Sequence, residues 1–142
     1  MTSLLDDVTR TAQRAVDTFR DRAGDGFDFS AASLAIVESM LDEASAHAAH
    51  MAPAEVAGLV RLLGCYVLEV ARAAHGGEYA WIDETTGPAL VVGEPATHIA
   101  IATWAKVRGR LNGDPGDNIP FFYQGFAERA AARRPGERVL FV

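Results

Sequence analysis

The stretch from Leu59 to Ile82 constrains the fold more than any other part of the chain, because the spacing of its apolar residues changes. Apolar side chains recur at helical intervals up to His75, and the pattern then stops at Gly76-Gly77. Residues 78–82 alternate as a strand does, and a second strand-like run follows at 89–92. A change of period from about 3.6 to about 2 residues indicates a domain of mixed secondary structure and not a helical bundle.

The apolar patterns on either side of this junction predict an α+β fold. We predict about five helices packed on a small antiparallel sheet, with a hairpin near 78–92 and a further C-terminal strand at 138–142. The predicted helices cover residues 3–23, 30–49, 53–75, 97–111 and 118–133. Helix 53–75 is apolar around much of its circumference, so we expect it to be the most buried element. The start of the fourth helix is ambiguous, because 98–101 also fits a short strand.

The length of 142 residues suits a single domain, 1–142, in which an N-terminal helix (1–26) precedes the main body (28–142). Cys65 is the only cysteine, so the chain can form no internal disulfide and has no thiolate cluster for zinc. Cys65 lies in an apolar helical run, and we expect a buried, inert thiol.

Composition and charge exclude several classes of protein. The N-terminus has acids where a signal peptide needs bases, and no apolar run approaches the ~20 residues that span a bilayer. We therefore expect a cytoplasmic protein with no membrane partner. The net charge of −6 argues against nucleic-acid binding. Basic residues concentrate near the C-terminus and form a candidate basic patch: Arg108, Arg110, Arg129, Arg133, Arg134 and Arg138. The helical pattern predicts that Lys106 and Arg110 are exposed.

A polar strip at the end of the central helix is the first candidate site. Glu69 and Arg72 are three residues apart and can pair on one helix face. A partly buried Glu69 carboxylate is a candidate general acid or base, or a ligand-binding group. The alternative is a structural ion pair with Arg72.

Three aromatic residues form the second candidate site. Tyr79 and Trp81 share a face of the first strand, because they are two residues apart, and Trp104 follows later in the chain. Aromatic side chains of this kind can line a ligand pocket together with Glu69 and Arg72. The alternative is packing against the helices in the core.

Glu43, His47 and His50 are the candidate metal ligands. Their spacing places all three on one face if the second helix continues to His50. The alternative is that the two histidines sit near a helix C-terminus and face water. No motif for a bound cofactor is present in the sequence, since phosphate-binding and dinucleotide-binding glycine patterns are absent.

Four short segments follow one another along the chain: Asp28-Phe29-Ser30, Gly64–Val70, Gly76–Trp81 and Gly113–Tyr123. This order resembles a group of small uncharacterised bacterial domains. Those domains show a Tyr-x-x-Glu on a helix, then Gly-Gly-x-x-Trp, and later an Asn-Gly turn before an aromatic-rich helix. The resemblance covers about residues 28–125 and implies a shared fold. It implies no activity.

No set of residues in the sequence converges on a catalytic mechanism. The resulting hypothesis is a non-enzymatic protein-interaction domain with an adaptor, regulatory or immunity role. The alternative is a small-ligand-binding domain or minor enzyme whose pocket lies around Glu69 and the aromatic strand. The sequence does not specify an oligomeric state.

Overall fold

The computed structural model describes residues 3–142, which form an α+β domain as predicted. The described residues contain six α-helices: α1 (Leu4–Thr18), α2 (Arg20–Ala23), α3 (Leu34–Ser45), α4 (Pro53–His75), α5 (Trp104–Leu111) and α6 (Ile119–Ala132). Four strands form one sheet: β1 (Glu78–Asp83), β2 (Gly87–Val92), β3 (His98–Ala102) and β4 (Arg138–Phe141). The additional helix is the four-residue α2, which directly follows α1.

The sheet is mixed, whereas the sequence pattern predicted an antiparallel one. The strand order is β1-β2-β3-β4; β1 and β3 run antiparallel to β2, and β4 runs parallel to β3. The chain leaves β3 through α5 and α6 and returns to begin β4 beside the start of β3. A crossover of this length is what a parallel pair requires.

The run from Thr97 to Leu111 contains a strand and a helix, and not one continuous helix. Ile99 and Ile101 alternate into the core from β3, and α5 begins only at Trp104. The prediction of a single helix over 97–111 was therefore wrong, and the alternative strand at 98–101 is confirmed. The hydrophobic spacing alone cannot separate a short central strand from a helical turn.

Helix α4 was expected to be the most buried element. It contributes ten buried residues, more than any other helix or strand among residues 3–142, although a larger share of β2 and of β3 is buried. Its residues 63–71 are all buried. Gly76 and Gly77 end the helix with φ angles of 72° and 105°, values that disfavour residues with a side chain. A Cβ on Gly77 would lie 2.5 Å from the Val91 carbonyl oxygen, so a side chain at this position would collide with β2.

Helix α1 packs along α4 and contributes to the same apolar cluster as the later helices. Its buried members are Val8, Ala12 and Ala15, and they share this cluster with Leu63 and Val67 of α4. No helix among residues 3–142 combines the length and the apolar character needed to cross a membrane.

Candidate functional site

Glu69, Arg72 and Tyr79 form one compact hydrogen-bonded cluster between α4 and β1. The Arg72 guanidinium donates to both Glu69 oxygens, from Nε at 2.7 Å and from a terminal nitrogen at 2.9 Å. The Tyr79 hydroxyl donates to Glu69 Oε2 at 2.7 Å. The sequence predicted the Glu69–Arg72 pair from helical spacing, and the structure confirms it.

This cluster is built to hold α4 against the sheet. Burial and the hydrogen bond to Glu69 raise the pKa of the Tyr79 hydroxyl, so this group stays protonated and donates. The hydrogen bond to Glu69 raises the pKa of Arg72, so the guanidinium stays charged. Both Glu69 oxygens are thus occupied by donors of the protein itself. Among the depressions described above and below, Glu69 lines none, whereas Tyr79 lines a depression of about 410 Å³ beside β1.

Trp81 and Trp104 meet at the other end of β1, one pointing from the sheet and the other from the start of α5. Their ring centroids are 6.0 Å apart and the rings are nearly perpendicular, at 83°. Trp104 is buried, whereas 49% of Trp81 remains exposed. The expected core packing is therefore found for Trp104 and not for Trp81.

Two glycines make room for the Trp104 ring. A Cβ on Gly64 of α4 would lie 2.6 Å from Trp104 Cδ1, and a Cβ on Gly87 of β2 would lie 2.5 Å from Cδ2. The Thr103 hydroxyl donates to the Gly64 carbonyl oxygen at 2.7 Å and fixes the start of α5 on α4. The position of Trp104 is therefore set by three elements that are distant in sequence.

A shallow surface groove runs past the two tryptophans. We call it the tryptophan groove and define it by Trp81, Trp104, Arg61, Arg108 and Val56. It comprises two adjoining depressions of about 240 Å³ and about 420 Å³, and both are lined by Arg61 and Trp104. The Arg61 guanidinium carbon lies 5.6 Å from the centroid of the Trp104 ring, within the range of a cation–π contact.

Two arginines and two acidic residues line the tryptophan groove. Within residues 3–142, neither Arg61 nor Arg108 lies within ion-pair distance of a carboxylate. Arg108 donates only to the Thr85 carbonyl oxygen, at 3.4 Å. Asp7 lines the smaller depression and Glu84 lines the larger one. The groove therefore combines aromatic rings and two unpaired arginines with two acidic side chains.

Cys65 lines the smaller depression but is unsuited to nucleophilic chemistry. Burial raises the pKa of its thiol to about 12. The thiolate is the nucleophilic form, and it is scarce at neutral pH when the pKa is that high. The sequence-based expectation of an inert thiol agrees with this environment.

The three candidate metal ligands do not share a helix face. Helix α3 ends at Ser45, so His47 and His50 lie beyond it, and His50 belongs to a separate short 3-10 turn. Glu43 pairs instead with Arg22. Residues 3–142 contain no group of three acidic, histidine or cysteine side chains arranged to hold a metal ion.

The basic residues near the C-terminus do not form one patch. Arg110, which was predicted to be exposed, is only 7% exposed and pairs with Glu38 and Asp42 of α3. Arg129 pairs with Glu137, and Arg133 donates to backbone carbonyl oxygens. Several of these charges therefore serve internal contacts.

Sequence reasoning did not identify Arg61. It grouped Glu69, Arg72, Tyr79, Trp81 and Trp104 around one pocket, whereas the structure separates the Glu69 cluster from the tryptophan pair. Arg61 carries only a weak signal, as a charged residue on an otherwise apolar stretch of α4. Comparison of the chain with protein-family models, curated proteins and solved structures found no match.

Proposed function

We propose that this protein is a non-enzymatic protein-interaction domain that binds its partner in the tryptophan groove. The observation that carries the proposal is the half-exposed Trp81, packed edge-on against Trp104 beside the Arg61 guanidinium. Tryptophan and arginine are the residues most enriched among those that dominate binding energy at protein interfaces.

The chemistry of the groove favours a partner with an acidic segment that carries an apolar anchor side chain. Arg61 and Arg108 offer guanidinium groups that are free of carboxylate partners among residues 3–142, and such groups bind carboxylates well. The tryptophan rings and Val56 supply apolar contact area on either side of Arg61. Trp104 is held rigidly by Gly64 and Gly87, so little conformational entropy is lost when a partner binds to it.

A small-ligand-binding role is the second candidate. The depression between Trp81, Trp104 and Cys65 favours it, because two aromatic rings face one concave space. Its volume of about 240 Å³ is below the roughly 300–1,000 Å³ that is usual for ligand pockets, whereas the adjoining depression of about 420 Å³ lies within that range. The smaller depression therefore suits one anchor side chain of a protein partner better than a complete small molecule.

The test is selection of a displayed random-peptide library on the wild-type protein. We expect enrichment of peptides in which Asp or Glu flanks an aromatic or aliphatic residue. Binding of a selected peptide is then titrated against Trp81→Ala, Arg61→Glu and Phe121→Ala. Phe121→Ala is the matched control, because Phe121 is 77% exposed and lies outside the groove.

We expect Trp81→Ala to weaken binding by about 30-fold and Arg61→Glu by about tenfold, with Phe121→Ala within about twofold of wild type. Unfolding temperatures of all variants establish that each is folded. Failure to enrich any peptide, or selected peptides that bind the folded Trp81→Ala variant as tightly as wild type, would overturn the proposal.

A further inference from the structure

Strand β1 is an edge strand of the sheet, so one side of its backbone has no neighbouring strand. It is the first strand in the order β1-β2-β3-β4, and it is exposed along most of its length. Toward the end of the strand, Trp81 is 49% exposed and Ile82 is 42% exposed. Near its start, Tyr79 and Ala80 line the depression of about 410 Å³ beside β1. The surface beside the strand is therefore accessible at both of its ends.

Pro88 determines which backbone groups of β1 point to this open edge. Residues directly opposite each other in an antiparallel pair alternate between hydrogen-bonded and non-hydrogen-bonded types. Pro88 lies opposite Trp81 and has no N–H, so these two residues cannot exchange two hydrogen bonds. Their pair is therefore of the non-hydrogen-bonded type, and so is the pair of Tyr79 and Leu90 two residues away. It follows that the N–H and C=O groups of Tyr79 and Trp81 point away from β2.

These outward backbone groups are a template for another extended chain. Within residues 3–142, neither Tyr79 nor Trp81 makes a backbone–backbone hydrogen bond outside the sheet. A row of unpaired N–H and C=O groups on an edge strand readily pairs with a further strand, and proteins often prevent this by keeping edge strands short. The other edge strand, β4, has only four residues, whereas β1 has six. The edge of β1 is therefore the one that is open to pairing.

We propose that the partner segment binds as an extended strand, antiparallel to β1, and adds a fifth strand to the four of the sheet. This mode of binding rests on the proposed function and adds to it the backbone conformation and the register of the bound segment. The partner residues opposite Tyr79 and Trp81 each exchange two hydrogen bonds with β1. In strand addition of this kind, main-chain bonds supply affinity and pockets for alternate side chains supply specificity.

The register brings the apolar anchor of the partner to the tryptophan groove. Directly opposite residues of an antiparallel pair lie on the same face, with their Cβ atoms about 4.5–5.5 Å apart. Trp81 lines the smaller depression of the groove together with Cys65 and Trp104. The anchor is therefore the partner residue opposite Trp81, and it is held by its backbone as well as by its side chain.

The acidic ends of β1 favour a different chain over a second copy of β1 as the occupant. Glu78 begins the strand and Asp83 ends it, and neither forms an ion pair within residues 3–142. Antiparallel pairing of two β1 strands would bring these charges close to each other at both ends, and like charges on facing strands destabilise the pair. For the same reason, the partner residue opposite Glu78 should be uncharged or basic. The acidic residue of the partner then belongs near Arg61, which lines the same depression as Trp81.

The test is amide hydrogen exchange, measured by NMR on the full chain with and without the tightest peptide from the library selection. In the free protein we expect the Tyr79 and Trp81 amides to exchange quickly, because they point to the open edge. The Ala80 amide is the internal control and should exchange slowly, because the same alternation bonds it to β2. Saturating peptide should slow the exchange of the Tyr79 and Trp81 amides by at least about tenfold.

Backbone N-methylation of the peptide tests the register. Methylation of the anchor residue removes the N–H that pairs with Trp81 and should weaken binding by about 30-fold. Methylation of the next residue, whose N–H points away from β1, is the matched control and should change binding by less than about threefold. Glu78→Lys should reverse the preference, by about threefold, between peptides with Lys and with Glu opposite residue 78.

Three results would overturn the proposed strand addition. Slow exchange of the Tyr79 and Trp81 amides in the free protein would show that the edge is already paired. A peptide that binds without protecting these two amides, or that tolerates N-methylation equally at both positions, would exclude strand addition and leave the proposed function standing. Failure to select any peptide would overturn the strand addition and the proposed function together.

Discussion

Gly58 and Gly64 lie six residues apart on α4 but have opposite surroundings. A Cβ on Gly64 would meet the Trp104 ring at 2.6 Å, whereas a Cβ on Gly58 would have no neighbour within 4 Å. Gly64→Ala should destabilise the protein by about 1–3 kcal/mol, because the ring has to move from its seat. Gly58→Ala should stabilise it by about 0.5–1 kcal/mol, because alanine is the better helix former.

Chemical denaturation of both variants measures this pair of effects. The intrinsic fluorescence of the Gly64→Ala variant should also change, because Trp104 is one of only two tryptophans. Equal stability changes of the same sign for the two variants would contradict the proposed role of Gly64.

The Glu69 cluster gives a second prediction at the residue scale. Glu69→Ala leaves the buried Tyr79 hydroxyl without its acceptor and Arg72 without its carboxylate, and should destabilise the protein by about 2–3 kcal/mol. Tyr79→Phe removes one hydrogen bond and should cost only about 1 kcal/mol. A double-mutant cycle measures the coupling between the two residues. If the two substitutions changed the free energy of unfolding additively, the Tyr79 hydroxyl would not be coupled to Glu69.

The pair formed by Glu69 and Arg72 could be predicted from sequence because helical geometry fixes residues three apart. The assignment of Tyr79 and Trp81 to one strand face followed from the two-residue period in the same way. The contact between Arg61 and Trp104 could not be predicted from the sequence. The two residues are far apart in the chain and meet only because α5 packs on α4. Trp104 depends on Gly64 and Gly87 for space, and neither glycine signals this locally.

At the scale of elements, Glu38 connects three helices. Its carboxylate accepts from the buried Arg110 of α5 and, at 3.0 Å, from the Ile119 N–H at the start of α6. Glu38→Ala should destabilise the protein by about 3 kcal/mol, because it leaves a buried charge and an unpaired backbone donor. Asp42 also bonds Arg110, but its side chain is 70% exposed.

Asp42→Ala is therefore the matched control for Glu38→Ala and should cost less than about 1 kcal/mol. Thermal and chemical unfolding of the two variants give the comparison. If Asp42→Ala were as destabilising as Glu38→Ala, the connection between the helices would not depend on the buried carboxylate.

The start of a helix could be predicted where a single capping residue marks it. Ser30 accepts a hydrogen bond from the Ser33 N–H in the 3-10 turn before α3, and Asn118 accepts one from the Phe121 N–H at the start of α6. Serine and asparagine are both preferred at helix starts. The parallel pairing of β4 with β3 had no such signal, because it depends on where α5 and α6 return the chain. The predicted exposure of Arg110 failed for a related reason, since its partners belong to the distant α3.

At the scale of the whole molecule, the tryptophan groove forms where α4, β1 and α5 meet. It combines two aromatic rings with two arginines. The α+β class could be predicted from the change of period at Gly76-Gly77. The tryptophan groove could not be predicted, because residues from several elements form it.

Site-specific photo-crosslinking in the cells that produce the protein tests the central claim most directly. Replacing Trp81 with p-benzoylphenylalanine places the reactive group in the tryptophan groove, and the same replacement at Phe121 places it on an exposed surface elsewhere. We predict a discrete crosslinked partner from position 81 that Arg61→Glu abolishes, and none from position 121. The absence of any adduct at position 81, or the same adduct from both positions, would contradict the assignment of this groove as the recognition surface.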